Sequence, residues 1–261
     1  MHLYDAQFSA SLDRPGSPSP LRTVLIASTP RCGSHMLGHA MATTGLLGVP
    51  FEYCNRANLE EWKRRLGTAT TEATLAELMA RRTTPNGVFG IKAHYEHCDA
   101  LGGPEGLFAA LPGLRIVHIR RADVLRQAVS FAVARQTGVW ICGQEGTGAR
   151  AHYDAELVSD CLEDIALQNA MWATAFDEAG IEPLNLYYED VVRDLPAAVA
   201  QVVRFAGALP EDGRIDVEIA TRRQGNPART ADWIRRFAED RAAGLRHPRR
   251  GFGRILRLAG L

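Results

Sequence analysis

The 261-residue chain has no excess of either charge, because 30 lysines and arginines balance 30 aspartates and glutamates. With no global polycation, nothing in the composition points to nucleic acid. Long apolar runs are missing as well. Hydrophobic residues make up 46% of the chain, yet no run approaches the ~20 residues that span a bilayer. Cysteine is sparse: Cys32, Cys54, Cys98, Cys142 and Cys161 are scattered without the spacing of a metal site or redox pair. Residues 1–20 lack the charged-then-apolar pattern of a secretion signal. An odd cysteine count and no signal predict reduced thiols and a cytoplasmic location. The G-x-x-x-x-G-K-[ST] phosphate loop is also absent, which disfavours a nucleoside triphosphatase.

What is present is organised around residues 23–41. Thr23 to Ala27 is a β-branched apolar run that predicts a strand buried on both faces. Ser28 to Ser34 is a polar turn, and from Ser34 the residues Met36, Leu37, Ala40 and Met41 recur with helical period. A strand, a tight loop and a helix N-terminus make an anion site, since the first-turn N–H groups are unpaired and point at the loop. Gly33 lets backbone approach an anion, Ser34 is suited to cap the helix and donate a hydroxyl, and Arg31 brings permanent charge. Cys32, inside the loop, stands beside a helix end and Arg31, which lower a thiol pKa, but no order of Cys, His and Asn in the chain carries a catalytic-thiol signature.

Further along, the pattern predicts a loop over 44–55, a helix over Leu59 to Arg82 and a strand over Val88 to His94. A short helix over 106–111, a strand over Leu114 to Arg121 and a helix over Asp123 to Gln136 follow. Residues 141–150 are Gly-rich and polar, a candidate lid. Then come a helix over Ala155 to Ala179, a strand over Glu182 to Asp190 and a helix over Pro196 to Ala206. The tail from Thr221 is strongly basic. Alternation of strands and helices predicts a doubly wound parallel α/β sheet of four or five strands, with helices on both faces and ligands at the strand carboxyl ends. Three segments are expected: a flexible lead-in over 1–21, a main domain over 22–240, and a basic C-terminal segment over 241–261. Phe252, Ile255, Leu256 and Leu258 make that last segment amphipathic, suited to dock on the protein, a partner subunit or an anionic membrane surface.

Four separated segments resemble one family. Residues 28–34 resemble the 5′-phosphosulfate loop of sulfotransferases, which use 3′-phosphoadenylyl sulfate (PAPS) as sulfonate donor. Residues 119–124 with Ser130 resemble the family's 3′-phosphate element. Residues 186–196 resemble its Tyr-Glu-Asp segment, and residues 223–233 its late basic loop. Residues 84–92, 127–131 and 136–140 are similar to the bacterial carbohydrate branch typified by trehalose sulfotransferase.

The resemblance implies the P-loop-like sulfotransferase fold and PAPS-dependent sulfation of a carbohydrate or glycolipid hydroxyl, with no metal required. It also implies a homodimer. Arg31 would sit at the leaving 5′-phosphate, where unit charges about 4 Å apart at an effective dielectric of about 20 interact by about 4 kcal/mol before desolvation. Cys32, Gly33, Ser34 and His35 would complete the loop, His35 departing from the family's usual threonine. Arg121 and Ser130 would hold the 3′-phosphate, with Arg126 competing for Ser130's role. Arg223 and Arg229 would close over the nucleotide. Tyr188 and Trp233 are each either adenine contacts or core.

Glu52 aligns with the general base of the trehalose branch, and its place between Phe51 and Tyr53 predicts a raised carboxyl pKa. Lys92-Ala-His94 resembles the Lys-x-His of animal cytosolic sulfotransferases, where the histidine is the base, so both bases stay open. Lys92 would touch the transferring sulfonate in either case. Val49 replaces an acidic residue of the trehalose branch, and the 141–150 loop differs, which argues against trehalose as acceptor. A nucleotide-binding relative without catalysis and a small-molecule kinase are the alternatives.

Overall fold

The computed structural model describes residues 5–14, 16, 18–141, 144–218 and 225–244. Four strands form one all-parallel sheet: β1 (Arg22–Ser28), β2 (Val88–His94), β3 (Leu114–Arg120) and β4 (Leu184–Tyr187), in the order β2-β1-β3-β4. The chain winds outward from β1 to β2, then crosses to the other side for β3 and β4. The order therefore reverses between β1 and β3, where doubly wound sheets bind ligands.

Alternation along the strands explains why both faces are covered. Leu25, Ala27, Phe89, Ile91 and Ile116 join a core with Trp62, Leu75, Leu78, Trp172 and Phe176. Val24, Ile26, Val88, Val117 and Ile119 join a second core with Leu37, Met41, Val199 and Val203. The first core thus lies under α2 (Arg56–Leu66), α3 (Thr71–Arg82) and the end of α6 (Ala155–Glu178). The second lies under α1 (Ser34–Thr43) and α8 (Leu195–Phe205). A short α4 (Pro104–Ala109) precedes β3, and α7 (Tyr188–Arg193) follows β4.

Contacts divide the chain into two units. One comprises Met1–Ala122 and Gln168–Arg222 and contains the whole sheet; the other comprises Asp123–Leu167 and Arg223–Leu261, with the boundary inside α6. The second unit has its own core, in which Val129, Phe131, Val158, Cys161 and Ile165 pack with Trp233 and Phe237. Its helices are α5 (Val124–Thr137), the first half of α6, and α9 (Pro227–Ala242).

Several elements differ from expectation for local reasons. The helix expected over Leu59 to Arg82 is two helices, because Gly67 ends α2 at φ 66° and the Thr70 side chain accepts from Ala73 N–H to start α3. The strand expected over Glu182 to Asp190 stops at Tyr187, and Glu189 and Asp190 instead occupy the first turn of α7, where a helix dipole favours acids. The stretch read as a late basic loop is helical from Pro227, capped by Asn226.

In the segment expected to be flexible, residues Asp5–Phe8 and Ala10–Leu12 are 3-10 turns, and Phe8 is buried 5.0 Å from Trp62. The 141–150 loop is tied to the end of α5: Thr147 N–H donates to Thr137 O at 2.8 Å, and Gln136 bonds the His152 backbone in both directions. Cys142, and the C-terminal segment beyond residue 244, lie outside the described residues. No described helix is long and apolar enough to cross a membrane.

Candidate active site

The parallel register sets the site. Ser28, the last residue of β1, pairs with His94, the last residue of β2, and Ile26 pairs with Lys92. The loop after Ser28 therefore leaves the sheet beside Lys92 and His94. Glu52 is delivered to the same place by the preceding loop. Phe51 bridges to Ile91, and Lys92 N–H donates to Phe51 O at 2.9 Å. That approach needs two glycines. A methyl group on Gly48 would stand 2.1 Å from Gly90 N, and one on Gly90 would stand 2.4 Å from Leu47 O.

Three of the expected catalytic side chains meet there. Lys92 Nζ lies 2.6 Å from Glu52 Oε1, and His94 Nε2 lies 3.5 Å from the same oxygen. His94 Nδ1 is 3.0 Å from Ser28 Oγ, which donates to Ala93 O at 3.1 Å. His97 Nδ1 accepts from His94 N–H at 3.1 Å, and Trp172 Nε1–H donates to Ser28 O at 3.0 Å. The raised pKa expected for Glu52 is reversed. Burial alone pushes its carboxyl up, but the Lys92 ammonium, helped by the neighbouring histidines, outweighs burial and holds it well below the usual carboxylate range. Burial also lowers His94 to about 3, so its imidazole is neutral at rest.

The phosphate-type loop departs from expectation in detail. Arg31 has φ 66°, the one positive φ at a non-glycine among the described residues, so the backbone carries local strain. Burial and then the nearby Arg121 cation lower the Arg31 pKa to about 10, which leaves it charged at neutral pH.

Ser34 does not cap α1. Gly33 occupies the cap position at φ 93° with no side-chain cap bond, and Ser34 is the first helical residue. A methyl group on Gly33 would also stand 2.4 Å from the Tyr188 ring. Cys32 is fully buried in the α1-side core, and burial pushes its thiol up, so a reactive thiolate is not formed there. His35 is held neutral, lowered to about 2 by burial, then by Lys92 and His39, against an upward pull from Glu52.

Arg121, just past β3, lies 4.6 Å over the Tyr188 ring with its Nε 3.7 Å from Glu189. Tyr188 is thus held between Gly33 and a guanidinium. The other nucleotide candidates belong to the second unit. Ser130 is half-buried on α5, while Arg126 pairs with Asp123 at 2.9 Å on the first turn of that helix. Arg229 lies in the first turn of α9, its backbone N–H donating to the Asn226 cap at 3.0 Å. Trp233 is buried in that unit's core, 5.9 Å from Tyr153. Arg223 lies outside the described residues.

No cluster of three metal-ligating side chains occurs among the described residues. An open cavity of about 430 Å³ lined by His118, Asn169, Phe176 and Asn185, among others, holds none of the candidates. Ser28 and His97 were not singled out from sequence. The His94-x-x-His97 spacing was the available signal for the second, whereas Ser28 becomes visible only through the β1–β2 register.

A doubly wound parallel sheet thus carries, beside the carboxyl ends of β1 and β2, an arginine-bearing loop, a lysine, a carboxylate and a histidine, residue types suited to group transfer from an anionic donor. Residues 23–240 match the Stf0 sulphotransferase family, and the chain belongs to it. It is 28% identical to trehalose 2-sulfotransferase of Mycobacterium tuberculosis over 86% of this chain and 98% of that protein. It is 27% identical to trehalose 2-sulfotransferase of Mycolicibacterium smegmatis over 83% of this chain and 94% of that one. A solved sulfotransferase from Alicyclobacillus acidocaldarius shares the fold, with a TM-score of 0.50 at 14% identity, covering 86% of this chain and 93% of that structure. Family membership implies a sulfonate donor and a hydroxyl acceptor.

Proposed function

We propose that this protein transfers the sulfonate of PAPS to a carbohydrate hydroxyl, with Glu52 as the first proton acceptor. The observation that carries this reading is the meeting of Lys92, Glu52 and His94 beside the loop that leaves β1, with Lys92 Nζ 2.6 Å and His94 Nε2 3.5 Å from Glu52 Oε1. Charge must be neutralised on the leaving phosphate and a proton removed from the incoming hydroxyl within the same few ångströms. Arg31 and Arg121 suit the two phosphates of the donor, since their mutual repulsion is relieved by an anion.

Lys92 links binding to chemistry. In the resting site it neutralises Glu52 at 2.6 Å. A sulfonate oxygen competes for that ammonium, and as Lys92 turns to it, burial raises the basicity of Glu52. The base is strengthened when the donor arrives. A carbohydrate acceptor is supported by the trehalose 2-sulfotransferase relatives. The test is transfer of ³⁵S from labelled PAPS to a panel of mono- and disaccharides and glycolipids. Labelled sugar product is expected; donor binding with no transfer to any hydroxyl acceptor would contradict the reading.

A further inference from the structure

Glu52 and His94 compete as bases only if one of them must keep the proton. The hydrogen bonds around Ser28 give them different tasks. Ser28 has one hydroxyl proton, and it is directed to Ala93 O at 3.1 Å. With that proton on Ala93 O, the contact between Ser28 Oγ and His94 Nδ1, at 3.0 Å, takes its proton from the imidazole. A neutral His94 carrying its proton on Nδ1 has a bare lone pair on Nε2. That nitrogen faces Glu52 Oε1 at 3.5 Å, too far for a hydrogen bond and in keeping with two acceptors facing one another.

We propose that the base is a relay: Glu52 takes the acceptor's proton and passes it to Nε2 of His94, which Ser28 keeps in the receptive tautomer. Ser28 is accordingly a positioning residue. The inference rests on the sulfotransferase reading of the site. In the step, the acceptor O–H bond breaks and its oxygen forms the new bond to sulfur. The sulfur–oxygen bond to the phosphate of the nucleotide phosphosulfate breaks, and its electron pair leaves on that phosphate. The proton passes through the Glu52 carboxyl to His94 and is released to solvent when product leaves. The resulting imidazolium lies between the Glu52 carboxylate and the Ser28 hydroxyl.

The surroundings keep His94 neutral at rest. Burial, Lys92 and His97 all disfavour a charged His94, while Glu52 favours it. His97 also fixes the His94 backbone through its Nδ1, 3.1 Å from His94 N. Trp172 holds Ser28 O at 3.0 Å, so the strand end that carries the hydroxyl is anchored on both sides.

The deciding experiment is long-range ¹H–¹⁵N NMR of the ligand-free, ¹⁵N-labelled wild-type protein, with His94 assigned from the signals lost in His94→Gln. A neutral ring protonated on Nδ1 is expected at pH 7. A ring protonated on Nε2, or an imidazolium, would overturn the proposal. Kinetics of Ser28→Ala supply a second reading. Its kcat should fall about 10- to 100-fold with both KM values nearly unchanged, and the Nδ1–H preference should be lost. An unchanged kcat with an unchanged tautomer would equally overturn it. The wild-type spectrum needs no substrate, so its failure leaves the sulfotransferase reading intact, whereas failure to bind the nucleotide would leave the tautomer unaffected.

Discussion

Lys92 Nζ sits 2.6 Å from Glu52 Oε1, and the two residues reach that contact from different directions: Lys92 from the middle of a buried parallel strand, Glu52 from a loop pressed onto the sheet. The pair is mostly shielded from water, with 4% of the lysine side chain and 24% of the glutamate side chain exposed. Each partner thus depends on the other for charge compensation.

Removing the lysine should reverse the sign of Glu52's contribution to stability. In the wild type the folded carboxyl titrates below its ordinary value of 4.5, so the pair's stabilisation is present above about pH 4.5 and is lost as pH falls through the folded value. In Lys92→Met the largest charge opposing burial is gone and the Glu52 pKa rises, so the variant should lose stability as pH increases from 4.5 to 7. At pH 7 the loss relative to wild type should be about 3 kcal/mol. Urea unfolding at pH 5 and pH 7 measures this; a gap that narrows at pH 7 would contradict it.

Glu52→Gln should cut kcat by at least about 100-fold while leaving donor affinity within a few-fold, because the amide keeps the shape and removes the proton acceptor. Steady-state kinetics beside His94→Ala provides the check. Nearly full turnover in Glu52→Gln with loss in His94→Ala would make the histidine the primary base.

Acid should weaken the fold well above the carboxylate range. Burial holds His39 and His118 down to about 4, His94 to about 3 and His35 to about 2, whereas the unfolded chain protonates histidine near 6.5. A lowered histidine pKa means the unfolded state binds more protons, so this stability is full above about pH 6.5 and drains away below it. The loss should be on the order of 1 kcal/mol per histidine per pH unit. A flat urea midpoint between pH 7 and pH 5 would exclude such burial.

Gly33→Ala should damage the anion loop specifically. The position has φ 93°, and the added methyl would meet the Tyr188 ring at 2.4 Å, displacing the ring that lies under Arg121. Affinity for adenosine 3′,5′-bisphosphate should fall at least about tenfold, roughly 1.4 kcal/mol. Calorimetry on the folded variant measures it, and unchanged affinity would place the nucleotide elsewhere.

Much of the fold was legible because it is local. β2 begins and ends where the apolar pattern does, and α5 and α6 match within a residue or so. The split at Gly67 was missed because the helical composition of residues 59–82 masked one capping glycine and one capping threonine. For the site, residue types were readable but electrostatics were not. The aromatic neighbours of Glu52 suggested a raised pKa, whereas the deciding charge is Lys92, forty positions away and brought near by strand register. The Ser28–His94 contact was hidden for the same reason, and Trp233 joined a helical core that the basic composition of its surroundings obscured.

Calorimetric titration of the wild type, Arg31→Ala and Arg121→Ala with adenosine 3′,5′-bisphosphate, with ATP as control, tests the central claim most directly. Micromolar binding by the wild type, lost in both variants and not shared by ATP, is expected. No binding by the wild type, or equal binding of ATP, would contradict PAPS as the donor.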